Sequence, residues 1–177
     1  MSKIKVATVW LDGCSGCHMS FLDLDERLIE LAEHIEMVYS PVVDPKSLPE
    51  QVDLAIVEGA VSNEDDRQKA LKMRAHSKYL ISLGDCAVSG NVPSMRNPIG
   101  NERCFQRAYH ELADMQAQDP ATVVPPLLER ALPVHEVVKV DLWLQGCPPP
   151  ADAIYHVLTE LLAGRTPDAT AVSRFGA

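Results

Sequence analysis

Nowhere in the 177 residues does an apolar run approach the roughly 20 residues that a membrane-crossing helix requires, which excludes a helical bilayer span. Basic residues are outnumbered, 16 Lys and Arg against 25 Asp and Glu, leaving a formal charge of −9. A nucleic-acid footprint needs a clustered basic face, so that class of partner is excluded as well. Met1-Ser2-Lys3-Ile4-Lys5 enters the first apolar run directly and leaves no room for a secretory signal. Internal repeats, low-complexity tracts and a linker that would mark a second domain are all lacking. Aromatics are scarce, but 46% hydrophobic and 23% charged residues still describe a globular chain rather than a disordered one. The expectation is a single domain over residues 1–177, able to bury roughly two-thirds of its unfolded surface, in an acidic, soluble, cytoplasmic protein.

What is present is an alternation of strand and helix signals. Residues 4–11 are rich in β-branched side chains and read as a first strand; 19–35 read as a helix. A second strand is predicted over 37–43, at a sheet edge because of Pro41. Residues 52–59 form a near-continuous apolar run ending in Gly59, the pattern of a strand buried on both faces. Ser62 or Asn63 is placed to cap a helix reaching His76, with Glu64, Asp65 and Asp66 at its positive end. Residues 78–84 make a fourth strand that delivers Asp85 and Cys86. Loop is expected over 87–101, helix over 102–117 and irregular chain over 119–133, which holds four prolines. A fifth strand, 137–144, precedes Gln145-Gly146-Cys147-Pro148, and a last helix spans 151–163 up to Gly164. The fold class expected is α/β, a flavodoxin-like three-layer sandwich around a mostly parallel five-stranded sheet.

Four of the five cysteines fall at predicted strand ends: Cys14 and Cys17 after the first strand, Cys86 after the fourth and Cys147 after the fifth. Parallel strands present their carboxyl ends on one edge, so these thiols can meet in space although far apart in sequence. In a chain read as cytoplasmic, such cysteines bind metal or catalyse more often than they pair. Four thiolates suit zinc or an iron–sulfur cluster. A structural zinc site normally uses two paired knuckles on a small module; one C-x-x-C and two single cysteines over a domain with its own core favour the cluster. Other readings remain open at this point. The C-x-x-C alone fits a thioredoxin-like redox pair, and Cys86 or Cys147 alone fits a buried small hydrophobe. Cys104 falls within a helix pattern and is the one left over. Glu58, at the third strand's end, is either part of the same edge or a solvated or capping carboxylate. His18 can ligate metal, hydrogen-bond a sulfur or sit on the surface. The other histidines show no ligand spacing.

Four blocks in order then carry a resemblance: Cys14-Ser15-Gly16-Cys17; Val57-Glu58-Gly59-Ala60; Gly84-Asp85-Cys86-Ala87 running on to Ser89-Gly90-Asn91-Val92-Pro93; and Gly146-Cys147-Pro148-Pro149. With Gly164-Arg165-Thr166-Pro167-Asp168 near the end, they make the sequence similar to the small, electron-transferring subunit of nickel–iron hydrogenases. The resemblance implies that Cys14, Cys17, Cys86 and Cys147 ligate one proximal 4Fe–4S cluster. It implies that nickel and iron lie on a separate large subunit, so that no catalytic residue belongs to this chain. Glu58 matches a family glutamate lying towards the subunit interface, with a proton or hydrogen-bond role there, and 89–100 match the segment facing the large subunit.

Longer family members carry a twin-arginine signal and a C-terminal multi-cluster domain, neither of which is found here. The short form resembles the small subunit of cytoplasmic NAD-reducing hydrogenases, whose other partners are diaphorase subunits with flavin and further iron–sulfur clusters. The implied function is relay of electrons between the nickel–iron site and NAD; FMN belongs to the complex and is not assigned to this chain. Two alternatives stand beside it: the cluster-bearing subunit of a complex I-like, quinone-linked assembly, which carries adjacent cysteines where Ser15 and Gly16 intervene here, and a zinc-stabilised interaction module. An FMN carrier of flavodoxin type would need a Ser/Thr- and Gly-rich phosphate loop where the first cysteines stand.

Overall fold

Successive residues of a strand point to opposite sides of its sheet, so a strand apolar at every position must be covered twice. That is the state of β1 (Ile4–Trp10) and β3 (Val52–Glu58) in the computed structural model, which describes residues 3–120 and 123–176. With β2 (Ile35–Tyr39), β5 (Ser77–Leu83) and β7 (Leu142–Leu144) they form a sheet of order β2-β1-β3-β5-β7, every neighbouring pair parallel. One face buries Val6, Leu54, Ile56, Ile81 and Leu83 with helix α6 (Ala151–Leu162) and the first helices of the chain. The other buries Ala7, Val9, Val57 and Leu80 with α3 (Glu64–His76). This is the expected α/β class with a five-stranded parallel sheet between helices.

Several elements depart from the pattern predicted. The single helix over 19–35 is two, α1 (Gly16–Leu22) and α2 (Arg27–His34), separated by a turn in which Asp25 takes a left-handed φ of 50° and Leu24 is buried. Asp tolerates that conformation better than most residues, and the break lets α2 follow the sheet edge. Strand β2 starts and ends earlier than 37–43, before Pro41, and is an edge strand as expected. The region 87–101 is not plain loop: α4 (Gly84–Ser89) follows β5 directly, and a 3-10 turn covers Pro93–Arg96.

The helix expected over 102–117 is α5 (Asn101–Phe105), widening into a π-turn over Gln106–Glu111. The stretch 119–133, of which 121–122 lie outside the described residues, contains β6 (Leu127–Leu132). It pairs antiparallel with the short β4 (Val61–Asn63). The prolines that suggested irregular chain sit before and after β6, not within it.

Strand 137–144 shrinks to β7, because the Asp141 carboxylate accepts the Leu80 N–H (2.9 Å) that a neighbouring strand would otherwise take. Asn63 is the residue that caps α3, its side chain accepting from Asp66 N–H at 2.9 Å.

The chain leaves β1 towards β2 on one side and returns to β3 on the other. The crevice between the carboxyl ends of β1 and β3 is therefore the switch point, where open α/β sheets place their sites.

Candidate metal centre

All four cysteines at strand ends lie on that edge, and the loops that carry them are tied to one another. Leu11 N–H donates to Glu58 O at 2.8 Å, and Asp12 and Ala60 exchange backbone bonds of 3.0 and 2.7 Å, which extends the β1–β3 pairing past the sheet. Ser15, held in the left-handed region at φ 63°, turns the chain into α1, so that Cys14 precedes the helix and Cys17 sits in its first turn. Ser20 of α1 donates its hydroxyl to Pro149 O at 2.5 Å, reaching the Cys147 loop. Asp85 joins the remaining pair: its N–H donates to Gly146 O at 2.9 Å, and its carboxylate accepts Gly146 N–H at 2.7 Å and Gly176 N–H at 2.8 Å.

Each sulfur has a defined surrounding. Gly16 N–H points to Cys14 Sγ at 3.4 Å, Asn91 Nδ2 donates to Cys147 Sγ at 3.7 Å, and the Val92 N–H favours the thiolate of Cys86. Cys17 is buried against the bare α-carbon of Gly84, whose φ of 83° and missing side chain let the sulfur approach. Burial first, then Glu58 and the other three sulfurs, push the Cys17 thiol far above the usual range. Cys86 is raised for the same first reason, with Cys147 and Cys14 adding to it. Four thiols thus feel one another across a shared space.

Among the described residues no three His, Cys, Asp or Glu side chains close on a point that would hold a single metal ion. Sulfurs set round a space, each offered a donor or a close packing surface, fit the thiolates of a cluster larger than one ion. Cys17 and Cys86 are costly as free thiolates, and a positively charged iron core is the kind of charge that would offset that cost. Cys104 lies in α5, outside these loops.

Glu58 and His18 are neither surface groups nor neighbours of the sulfur atoms. Glu58 is 2% exposed; its carboxylate accepts Cys17 N–H at 3.1 Å, His18 N–H at 3.0 Å and a hydrogen bond from His18 Nδ1. The other ring nitrogen of His18 meets Thr8 Oγ1 at 2.8 Å, and Thr8 meets Ser40 Oγ at 2.7 Å. The loops around the cysteines also expose Trp10, Met19, Val92, Met95 and Ile99.

Comparison with known proteins bears on the same residues. A family described as NADH ubiquinone oxidoreductase, 20 Kd subunit, matches residues 14–161, from the first cysteine past the last. The NAD-reducing hydrogenase HoxS subunit delta of Cupriavidus necator is 43% identical over 92% of this chain and 80% of its own length. A solved NAD+-reducing [NiFe]-hydrogenase contains a chain that superposes with a TM-score of 0.93 at 38% identity, covering 98% of this chain and 99% of that one. The chain belongs to the small-subunit family of NAD-reducing nickel–iron hydrogenases.

Other hydrogenase subunits are similar over only part of their length. One from the iron–sulfur side of an F420-non-reducing hydrogenase of Archaeoglobus profundus, itself described as an iron–sulfur protein, is 31% identical over 93% of this chain and 57% of its own length. A [NiFeSe]-hydrogenase chain from Dm. baculatum shares the fold, with a TM-score of 0.58 at 16% identity over 95% of this chain and 67% of that one.

Sequence reasoning did not single out Thr8, Ser40 or Ser20, and treated Asp85 only as the neighbour of a cysteine. For Asp85 the signal was available, an acidic residue between a strand-end glycine and Cys86. The hydroxyls carry no such mark.

Proposed function

We propose that this chain is the electron-transfer subunit of a cytoplasmic NAD-reducing nickel–iron hydrogenase, and that Cys14, Cys17, Cys86 and Cys147 hold one 4Fe–4S cluster. The observation that carries the reading is the convergence of four cysteines from three parallel strand ends on one edge, three of their sulfurs already met by N–H donors. When bound, the cluster supplies a site that takes up and releases one electron at a time.

The chain's own residues bind and tune it. Cys14 and Cys147, exposed, form the outer rim, while Cys17 and Cys86 lie deeper. N–H donors to sulfur stabilise added negative charge, which eases reduction. Gly84 and the Asp85 bonds keep the second and third loops in contact, so the four ligands are set before iron arrives. The apolar side chains Val92, Met95 and Ile99 suit burial against the nickel–iron large subunit, with diaphorase subunits bearing flavin and further clusters completing the route to NAD.

The family model matched is also that of a complex I subunit, which supports a quinone-linked assembly as the second reading. Ser15 and Gly16 between the first two cysteines, and the likeness to the HoxS delta subunit, favour the hydrogenase. The test is to purify the complex without oxygen and measure metals, for the wild type and for Cys86→Ala and Cys147→Ala. The reading expects iron with nickel, and loss of this cluster's signal in both variants with hydrogen oxidation uncoupled from NAD reduction. Iron without nickel supports the quinone-linked alternative, and zinc alone supports an interaction module. Unchanged cluster spectra in both variants would remove the ligand assignment.

A further inference from the structure

The buried chain of hydrogen bonds behind the Cys14–Cys17 loop has no part in the ligand assignment, and its members come from four separate places in the sequence. Glu58 ends β3, His18 lies in α1, Thr8 is inside β1 and Ser40 follows β2. All four are at least nine-tenths buried, with 2% exposure for Glu58, Thr8 and Ser40 and 5% for His18. Polar groups so placed are kept only when their hydrogen bonds are made. Here one consistent direction satisfies them: Ser40 O–H to Thr8 Oγ1, Thr8 O–H to His18 Nε2, His18 Nδ1–H to Glu58. The carboxylate then receives two further donors, the backbone N–H groups of Cys17 and His18.

Helix α1 has no side-chain cap at its start, Ser15 making none. The N–H groups of Cys17 and His18 are among those a helix start leaves without partners, and Glu58 takes both from across the sheet edge. We propose that Glu58, steadied by His18, Thr8 and Ser40, is a positioning residue: it fixes the first turn of α1, and with it Cys17, and its negative charge lowers the potential of the group those cysteines hold. The role of the cysteines is the reading proposed above, and this inference rests on it. The reduced state of a cluster carries more negative charge than the oxidised one, so a carboxylate bonded to a ligand's own N–H disfavours reduction.

The test uses the whole hydrogenase complex with Glu58→Gln, Thr8→Val and Thr8→Ser. Glutamine keeps one acceptor oxygen but turns a donor towards groups that themselves donate. A lost charge-assisted hydrogen bond corresponds to about tenfold or more in a local opening equilibrium, so the Cys17 and His18 amides of Glu58→Gln exchange with solvent about tenfold faster. The midpoint potential of the cluster, followed by EPR in a redox titration, moves in the positive direction. Thr8→Val frees one end of His18 and speeds the same amides; Thr8→Ser, which restores the hydroxyl, returns them to the wild-type rate. That rescue separates positioning from general loosening, and it decides the matter should Glu58→Gln fail to assemble. Wild-type amide rates and potential in Glu58→Gln and Thr8→Val, with full iron, overturn the inference. A wild-type complex that never holds iron at this chain overturns the ligand assignment instead, while the amide rates still decide whether Glu58 anchors the turn.

Discussion

Gly84→Ala puts a methyl group where Cys17 Sγ stands. An alanine Cβ at position 84 overlaps that sulfur, with Gly146 O at 3.5 Å and Cys17 Cβ at 3.7 Å closing the space on other sides. Two costs arise. The backbone is left-handed, at φ 83°, which costs a side-chain-bearing residue about 1–2 kcal/mol. Displacing a packed sulfur between two loops adds overpacking of about 1–3 kcal/mol. Near the middle of the combined range, about 3 kcal/mol, a domain of this size loses roughly 6–12 °C in melting temperature.

A control separates the two costs. Gly164, just past α6, has φ 72° and nothing within 4 Å of its would-be Cβ, so Gly164→Ala carries the backbone cost alone. Thermal melts of the anoxic complex and its iron content are the measurements. The expectation is that Gly84→Ala melts several degrees below Gly164→Ala and holds less iron, while Gly164→Ala keeps its iron. Equal melting temperatures, or full iron in Gly84→Ala, would refute the view that Cys17 is positioned by contact with that glycine.

Two further outcomes follow from side chains away from the edge. Burial works to raise the pKa of Asp141, but the Arg74 guanidinium at 2.5 Å and the Leu80 N–H together hold it below the ordinary value. A carboxyl depressed on folding contributes its full stability above its unfolded pKa of about 3.9 and loses it as pH falls through the lower folded value. Asp141→Asn should therefore cost about 1–3 kcal/mol near neutrality, with the gap in melting temperature closing below about pH 4; a gap constant across that range would contradict the assignment. Cys104→Ala should leave iron content and the cluster's EPR spectrum as in the wild type, since Cys104 lies in α5 outside the strand-end loops; a lost or altered signal would add it to the ligands.

The parts of the fold that could be read from sequence are those whose patterns are local. Residues 52–58 are apolar almost without interruption, and a strand covered on both faces accommodates that. The strand-end positions of Cys14, Cys17, Cys86 and Cys147 follow once the strands are found. Where the reading failed, a distant partner overrode the local signal. Residues 137–141 carry the β-branched pattern of a strand, yet Val138 and Val140 are buried outside the sheet while the Asp141 side chain takes the acceptor's place beside Leu80. Residues 127–132 form a strand only because 61–63 lie opposite them. Glu58 and His18 illustrate the same limit in the site. Their polarity suggested a surface or an interface, and only the meeting of β1, β3 and α1 shows them buried and bonded to one another.

The distribution of the four thiols over three strand ends has a consequence for how the protein matures. Zinc-finger modules can be folded by their metal because their ligands are neighbours in sequence. Here Cys14 and Cys147 lie near opposite ends of the chain, on strands separated in the sheet by β3 and β5. Contacts between such remote segments form late, after the loops between them have been closed. A chain still lacking β7 presents a C-x-x-C pair and a third thiol, but not the fourth. On the ligand assignment proposed above, loading of the cluster waits for the finished sheet. Once loaded, the cluster acts as a cross-link between the first strand and the last, joining most of the chain into a unit that opens only when iron is lost.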